Sequence, residues 1–274
     1  MTMLQPALHC LPALLRTALT CAVLWTLSLS TAQAQSIKVG DIAPFEVVYD
    51  VGNNLITAGT ARLTLSKTDD LWNYSLNTKP RGVFKLTGKG RITEYSTFKL
   101  VGNDEAIELQ PQVYQFRQDD EKRRAVDASY NWDEKAISYS YRGVDTTENF
   151  SEPILDRLSV TLVIMNALRN GFEKAEMQVF DNGKVKPVAF INDGTEVLKT
   201  PLGNIDTIRV INRNAKGGSR ETTTWFAPAF DYVPIKIEHR KRGDLVARLS
   251  LIKLDNRLKN FELESAVPKE QASD

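Results

Sequence analysis

The stretch ARLTLSKTDDLWNYSLN, residues 61–77, decides the fold class. Apolar residues take every second position on both sides of the turn residues TDD: Ala61, Leu63 and Leu65 before the turn, Trp72, Tyr74 and Leu76 after it. In a β-strand this spacing puts all apolar side chains on one face. The stretch therefore predicts two antiparallel strands, joined by a short turn, that share one buried face.

The same alternation recurs along most of the chain. Runs such as VVYDV, QVYQFRQ, AISYSYR, TIRVINR and VARLSLIKL are separated by turn sequences such as GNN, KGG and RGD. The spacing between turns, roughly 8 to 12 residues, is typical of a continuous antiparallel sheet. Strands and helices do not alternate, so a parallel α/β sheet is not expected.

One segment, residues 151–171, has helical spacing instead. Its apolar residues recur three or four positions apart: Leu155, Leu158, Leu162, Met165 and Leu168. Ser151 is a candidate cap, Pro153 suits the first turn and Gly171 marks the end. We predict a mainly β fold: a long curved antiparallel sheet, open or spiral and β-barrel-like, wrapped around one central α-helix.

The first 34 residues read as a secretory signal peptide. Arg16 precedes an apolar run from Ala18 to Leu29, and the small-residue sequence AQA follows it. The run is short of the ~20 residues that span a bilayer, so cleavage after Ala34 and a periplasmic location are expected, with no transmembrane segment in the mature chain. We expect one β-rich domain over residues 35–255 and a polar tail over residues 256–274.

Loss of the leader removes several classes of chemistry. Cys10 and Cys21 leave with it, and His239 becomes the only histidine. Disulfides, thiol nucleophiles and Cys/His zinc sites are then excluded, and we predict neither metal nor cofactor. Of 35 basic residues only Arg16 is lost, which leaves equal numbers of basic and acidic residues and no reason to expect nucleic-acid binding.

Paired carboxylates could still hydrolyse a cell-wall glycan or an ester without histidine or cysteine. The acids nearest to aromatic or apolar neighbours are Glu94, Glu152, Asp156, Asp231 and Glu238. Asp156 and Ser159 lie at the start of the predicted helix, where they would satisfy free backbone donors. The sequence leaves open whether any two of these acids share a cleft.

Two sets of residues are candidates for binding. Aromatic and helix residues could line an apolar cavity for acyl chains, although the same residues could simply fill the core: Trp72, Tyr74, Tyr114, Phe116, Trp132, Leu162, Met165 and Trp225. Arg240, Lys241 and Arg242 could contact anionic lipid headgroups, or they could form a solvated hairpin turn. His239 shares a strand face with Ile235 and Ile237, which indicates packing rather than metal binding.

The stretch ETTTWFAPAFDYVPIKIEHR, residues 221–240, resembles an active-site loop in its density of aromatics. Its prolines fix φ and withhold hydrogen-bond donors where strands end. We predict a hairpin corner with a strand over Thr222–Phe226, a turn over Ala227–Pro234 and a returning strand over Ile235–His239.

Several motifs, taken in order, resemble one family of exported bacterial proteins. They are FEVVYDV and AGTARLTL near the start, YNWDE and DRLS in the middle, and LKTPLGNIDTIRV and TTWFAPAFDYVPIKIE further on. Together they run from about Phe45 to Leu254 and resemble domain of unknown function 3108 (DUF3108). The resemblance implies a Gram-negative envelope protein rich in antiparallel strands, with no established catalytic residues to transfer.

Three functions follow as hypotheses. The leading one is a non-enzymatic, monomeric periplasmic protein that maintains the envelope by binding an envelope protein, a lipid or a cell-wall glycan. The second is an acyl-chain carrier or sensor, because a strand-rich sheet around a helix looks like the periplasmic lipoprotein-carrier architecture. The third is a glycan or ester hydrolase that uses carboxylates.

Overall fold

The computed structural model describes residues 42–53, 55–82, 90–103 and 106–256. The predicted signal peptide and the predicted tail beyond Asn256 lie outside the described residues. All described residues fall in one compact unit that contains fifteen strands and one α-helix. In this part of the chain, that helix is too short to cross a membrane.

The strands follow one another closely along the chain. In order they are β1 Phe45–Gly52, β2 Thr57–Thr68, β3 Leu71–Pro80, β4 Ile92–Asn103, β5 Ala106–Gln118, β6 Val126–Asn131, β7 Ala136–Tyr141, β8 Val144–Asn149, β9 Ile154–Asp156, β10 Lys174–Phe180, β11 Val185–Thr200, β12 Gly203–Asn214, β13 Arg220–Ala227, β14 Val233–Lys241 and β15 Asp244–Asn256. The helix, α1, spans Ser159–Arg169. The mainly β class predicted from alternation is therefore confirmed.

All fifteen strands belong to one open sheet with the order β8-β7-β6-β5-β4-β3-β2-β1-β15-β14-β13-β12-β11-β10-β9. The first and last strands, β1 and β15, are neighbours in the middle of the sheet and pair antiparallel from Phe45↔Asn256 onward. The two edge strands, β8 and β9, are consecutive in the chain but do not pair. Instead, β9 contacts β5.

One pair departs from the antiparallel pattern. β9 runs parallel to β10, with Ile154 opposite Gln178 and Asp156 opposite Phe180. The chain between the two strands contains α1, which provides the crossover that a parallel pair requires. The remaining pairs of the sheet are antiparallel.

The predicted helix boundaries need correction at the N-terminal end. Residues 154–156 form β9, and the helix starts only at Ser159. Ser151 is therefore not the cap and Pro153 is not in the first turn, because pairing with β10 holds this segment extended. The predicted end is confirmed, since the helix stops at Arg169 and Gly171 has a φ of +72°.

The core lies against one face of the sheet. Eight of the eleven residues of α1 are buried, and the six apolar ones join inward side chains of β1–β5 and β9–β15 in one hydrophobic cluster. Ala61, Leu63 and Leu65 belong to it, as their alternation predicts. A second, smaller cluster joins residues of β5, β6 and β7 to Ile154 and Phe180.

The aromatic stretch at residues 221–240 is a hairpin corner, as predicted. β13 ends at Ala227, a short 3-10 helix covers Pro228–Phe230, and β14 begins at Val233. Asp231 and Tyr232 close the corner in the left-handed conformation. Arg169 at the end of α1 donates a hydrogen bond to the Asp231 carbonyl at 3.1 Å, so the corner is joined to the helix.

Candidate functional site

A chain of alternating charges lies on the inward face of the sheet. We call it the inner charged cluster: Glu94, Arg157, Asp181 and Lys186. The Arg157 guanidinium donates to both oxygens of Glu94, from Nε at 2.8 Å and from Nη2. Its Nη1 lies 3.7 Å from Asp181 Oδ1, and Lys186 Nζ donates to Asp181 Oδ2 at 2.6 Å. Because the charges alternate, two cations balance two carboxylates.

The strands bring these four residues together from distant parts of the sequence. Glu94 on β4 has Leu76 and Phe116 as cross-strand neighbours, which fixes its side chain on the inner face. Arg157 directly follows β9, Asp181 follows β10, and Lys186 lies near the start of β11. The cluster therefore ties β4 to the β9–β11 end of the sheet, where β9 lies against β5 without backbone pairing.

The pKa values reflect this mutual compensation. Burial alone would raise the pKa of Asp181, but the Arg157 charge and the Lys186 hydrogen bond lower it overall. Burial alone would lower the pKa of Arg157, yet Glu94 outweighs that effect and raises it. The Tyr114 hydroxyl donates to Glu94 Oε1 at 2.9 Å. Each charge of the cluster is paired with an opposite charge. This arrangement suits a structural link between strands better than it suits proton transfer.

The Asp156 carboxylate lies just before α1 and accepts hydrogen bonds from backbone amides at its N-terminal end. It is fully buried, and its Oδ1 accepts hydrogen bonds from the backbone amides of Leu158 at 2.9 Å and Ser159 at 2.8 Å. Its Oδ2 accepts from the Ser96 hydroxyl at 2.6 Å. Burial raises the pKa of Asp156, although these hydrogen bonds oppose the shift. The interpretation that Asp156 satisfies free helix donors is confirmed, and Ser96 adds a second link between β4 and β9.

His239 shares the inner face with Ile237, as the alternation predicts. Its cross-strand neighbours are Thr222 and Ala247, and its Nδ1 lies 2.9 Å from Thr222 Oγ1. Although the residue as a whole is exposed, desolvation of the imidazole by the surrounding sheet, helped by the charge of Arg157, lowers the pKa of His239 to about 4. The imidazole is thus neutral at physiological pH.

Of the five candidate acids, Glu94 and Asp156 both lie at the contact between β4 and β9 but are buried and bonded to their own partners, and the other three lie elsewhere. Glu238 lies on the face opposite to Ile237 and His239 and accepts hydrogen bonds from Arg240 and Arg248, both at 2.8 Å. Asp231 lies at the hairpin corner, and Glu152 accepts from Gln178 at 3.3 Å. The described contacts of these acids are structural, and they do not place two carboxylates in one cleft. Nor do the described residues include a group of three His, Cys, Asp or Glu side chains able to hold a metal ion.

The residues predicted to line an acyl-chain cavity fall into three places. Trp72, Tyr74, Leu162 and Met165 belong to the main core. Trp72 stacks on Phe98 with ring centroids 6.2 Å apart, and Tyr74 meets Phe45 edge-on at 6.0 Å. Tyr114, Phe116 and Trp132 belong to or pack on the second cluster. The residues of these two groups pack against other core side chains.

Trp225 lies on the other face of the sheet. Its cross-strand neighbours are Arg209 and Lys236, whereas the next residue, Phe226, points into the main core. The indole Nε1 donates to Glu196 Oε2 at 2.7 Å, and Lys236 Nζ lies 3.9 Å from the ring centroid. Trp225 therefore stabilises an outer network of charges and does not face the helix with the rest of the predicted set.

The three basic residues at the β14–β15 turn, Arg240, Lys241 and Arg242, differ in their contacts. Arg240 is engaged, since it bonds Glu238 at 2.8 Å and the Gly243 carbonyl at 3.0 Å. Lys241 and Arg242 are exposed at the turn, where Arg242 has a φ of +54°. The hairpin-turn interpretation therefore describes the local geometry, and contact of this turn with anionic lipid stays a prediction.

A surface groove lies on the outer face of β1–β4. We call it the outer groove; its volume is about 580 Å³. It is lined by Val48, Thr60, Ala61, Arg62, Asn77, Lys79, Arg91 and Thr93. Val48, Arg62, Asn77 and Thr93 are successive cross-strand neighbours, so they form one row across four strands. A second pocket of about 460 Å³ is shallower, and hydroxyl groups of β6–β8 line much of it.

Sequence reasoning missed the residues of the inner charged cluster other than Glu94, and it missed the outer groove. One signal was available for Arg157, because a basic residue stands immediately before an apolar helix in DRLSVTLVIM. For the groove, the signal was the cationic sequence around Lys79 and Arg91. Neither signal indicates which strands become neighbours, and that information came from the sheet order.

Comparison with known proteins agrees with the fold. The chain is similar to the crystal structure of a beta-barrel-like protein of domain of unknown function DUF1849 from Brucella abortus, with a TM-score of 0.50 and 10% identity. The match covers 80% of this chain and 100% of that one. A search of curated proteins found no significant match. The model of the protein family of unknown function DUF3108 matches residues 45–250, and the chain therefore belongs to the DUF3108 family.

Proposed function

We propose that this protein is an exported, non-enzymatic binding protein of the periplasm that contributes to envelope maintenance. In this proposal the sheet curls around α1 and serves as a rigid support, and recognition takes place on the outside. The signal-peptide pattern at the N-terminus supports the location.

The outer groove is the observation that carries the proposal. Its volume of about 580 Å³ falls in the range of small-molecule sites, roughly 300–1,000 Å³. It lies on four adjacent strands, which hold its side chains in a fixed row. Sites built on strands keep their geometry better than sites built on loops. The groove is therefore suited to hold a ligand without rearrangement.

The acyl-carrier alternative receives less support from the geometry. A carrier of this kind needs an apolar concavity, whereas α1 and the inward side chains of twelve strands pack together in the main core. Both pockets described above are lined by polar side chains together with Val48, Ala61, Val113 and Ala128, and neither lining includes a residue of α1.

The test combines location with bound material. The full chain is expressed in a Gram-negative host, released by osmotic shock and analysed by native mass spectrometry. We expect the protein in the periplasmic fraction, with Gln35 as its first residue and with a bound small molecule or partner. Retention in the cytoplasm would contradict the location, and turnover of cell-wall fragments or esters would contradict the non-enzymatic role.

A further inference from the structure

The lining of the outer groove carries a net positive charge, and the Asp119 carboxylate beside it accepts a hydrogen bond from the Arg91 backbone amide at 3.2 Å. Lys79 and Arg91 are exposed, and neither side chain has an ion-pair partner among the described residues. The third cation of the lining, Arg62, pairs with Glu46. None of the eight lining residues is acidic. The groove therefore presents two available cations to a ligand.

The described residues beside the groove are also basic. Residues 79–82 and 90–91 include three basic residues, Lys79, Arg81 and Arg91, and no acidic one, although the chain as a whole is nearly neutral. Arg81, beside the groove, pairs with Asp50 at 3.2 Å. A local excess of positive charge on a neutral protein attracts anions to one place on its surface. Charge complementarity therefore selects a negatively charged ligand.

The neutral lining residues indicate what accompanies the negative charge. Thr60, Asn77 and Thr93 contribute two hydroxyl groups and one amide, which both donate and accept hydrogen bonds. Val48 and Ala61 are the apolar residues of the lining, and Ala61 is buried. Such a surface offers hydrogen-bond partners to the hydroxyl groups of a sugar beside apolar atoms that can contact its carbon skeleton.

A glycine allows the β2 and β3 backbones to lie close together beside the groove. Gly59 precedes Thr60, and a Cβ atom at Gly59 would lie 2.4 Å from the Lys79 carbonyl oxygen. Glycine thus allows β2 and β3 to approach each other beside Lys79, with Thr60 opposite Lys79 across the two strands.

We propose that the outer groove binds a saccharide that carries a phosphate or carboxylate group. Lys79 and Arg91 contact the anionic group, and Thr60, Asn77 and Thr93 bond the sugar hydroxyls. The inference rests on the proposed function, because it names the ligand class of that binding site.

The experiment is isothermal titration calorimetry on the mature chain at low salt. The probes are glucose 6-phosphate, glucuronate, glucose and inorganic phosphate, and vesicles with and without anionic phospholipid are tested by sedimentation. The test variant is Lys79→Gln/Arg91→Gln. The matched control is Lys99→Gln, since Lys99 is an exposed cation of β4, eight residues from Arg91 and about 26 Å away in an extended strand.

We expect one of the two anionic sugars to bind, and we expect roughly tenfold or weaker affinity in the double variant because charge-assisted hydrogen bonds are lost. The Lys99→Gln protein should bind like the unmodified chain, and circular dichroism should show both variants folded. The two anionic sugars distinguish phosphate from carboxylate.

Four results would overturn the proposal: equal binding of glucose, equal binding of inorganic phosphate alone, binding of anionic vesicles only, or binding of no probe. Affinity that is unchanged in the double variant would also overturn it. The proposed function would survive each of these results if native mass spectrometry still showed a periplasmic protein with another bound partner. A cytoplasmic or catalytically active protein would instead remove the proposed function itself.

Discussion

Arg157 and Glu94 form a two-pronged ion pair that joins β4 to the residue directly after β9. β9 and β4 are not neighbours in the sheet, so this link is made by side chains alone. The Glu94 side chain is 3% exposed, whereas that of Arg157 is 40% exposed. The Glu94 carboxylate is shielded from water and therefore relies on Arg157 to compensate its charge, whereas the Arg157 guanidinium is also solvated by water.

Arg157→Met should destabilise the protein by about 2–3 kcal/mol, as measured by urea unfolding. Removing one partner of a buried ion pair costs about 3–5 kcal/mol, and we reduce this value because water reaches the Arg157 side. The matched control is Arg62→Met, which breaks the exposed Arg62–Glu46 pair and should cost less than about 1 kcal/mol. Equal losses in the two variants would show that the inner pair does not hold the sheet.

Tyr114→Phe and Tyr74→Phe should differ in stability although both side chains are buried in the core. The Tyr114 hydroxyl donates to Glu94 at 2.9 Å, and its loss should cost about 1.5–3 kcal/mol because the acceptor is charged. The Tyr74 hydroxyl is buried without a hydrogen-bond partner among the described atoms, so Tyr74→Phe should be neutral or stabilising. Thermal unfolding of both variants measures the difference. A larger loss in Tyr74→Phe would contradict the assignment of these hydroxyls.

His239 should make the protein less stable as the pH falls from 6.5 toward 4. Its pKa is about 4 in the folded state, mainly through desolvation and then through Arg157, and 6.5 is its ordinary value. The unfolded chain therefore binds the proton first, and stability present above pH 6.5 is lost over this interval. In urea unfolding at several pH values, His239→Gln should have a flatter curve than the unmodified chain. Parallel curves would show that the folded state takes up the proton normally.

Glu238 should affect the stability of the protein at a lower pH than His239 does. Burial alone would raise its pKa, but hydrogen bonds from Arg240 and Arg248 and the charge of Lys236 lower it from 4.5. Stability from this group is present above pH 4.5 and is lost as the pH falls through the lower folded-state pKa. In acid unfolding measured by circular dichroism, Glu238→Gln should therefore be less sensitive than the unmodified chain to pH below 4.5. If the two proteins respond alike, the cations do not stabilise the ionised form of Glu238.

Alternation predicted the strands well because a half-buried sheet leaves a period of two in the sequence. The faces of Ala61, Leu63 and Leu65 follow directly from it. The helix start was missed because Leu155 and Leu158 fit a helical period as well as they fit a short buried strand followed by a turn. Three residues of β9 are held extended by β10, which lies 18 or more residues later in the chain. Local periodicity contains no information on such a partner.

The site residues were harder to predict for the same reason. Trp225 and Phe226 are adjacent aromatics, and only the register with β12 and β14 decides which of them faces the core. Arg157 and Glu94 lie 63 residues apart, and the sheet order brings them together. Composition restricted the expected chemistry to acids, hydroxyls and cations, since His239 is the sole histidine after the predicted leader. It did not indicate that the acids would be used for structure.

The position of β15 has a consequence for how the chain folds. β15 lies between β1 and β14, and among the described strands it alone joins, by backbone pairing, the β1–β8 half of the sheet to the β9–β14 half. The two halves can each form local hairpins as synthesis proceeds, but the ladder from Phe45 to Asn256 closes across more than 200 residues. The sheet can therefore be completed only after β15 has left the ribosome, and until then the edges of β1 and β14 that β15 will cover stay open to pairing with other strands.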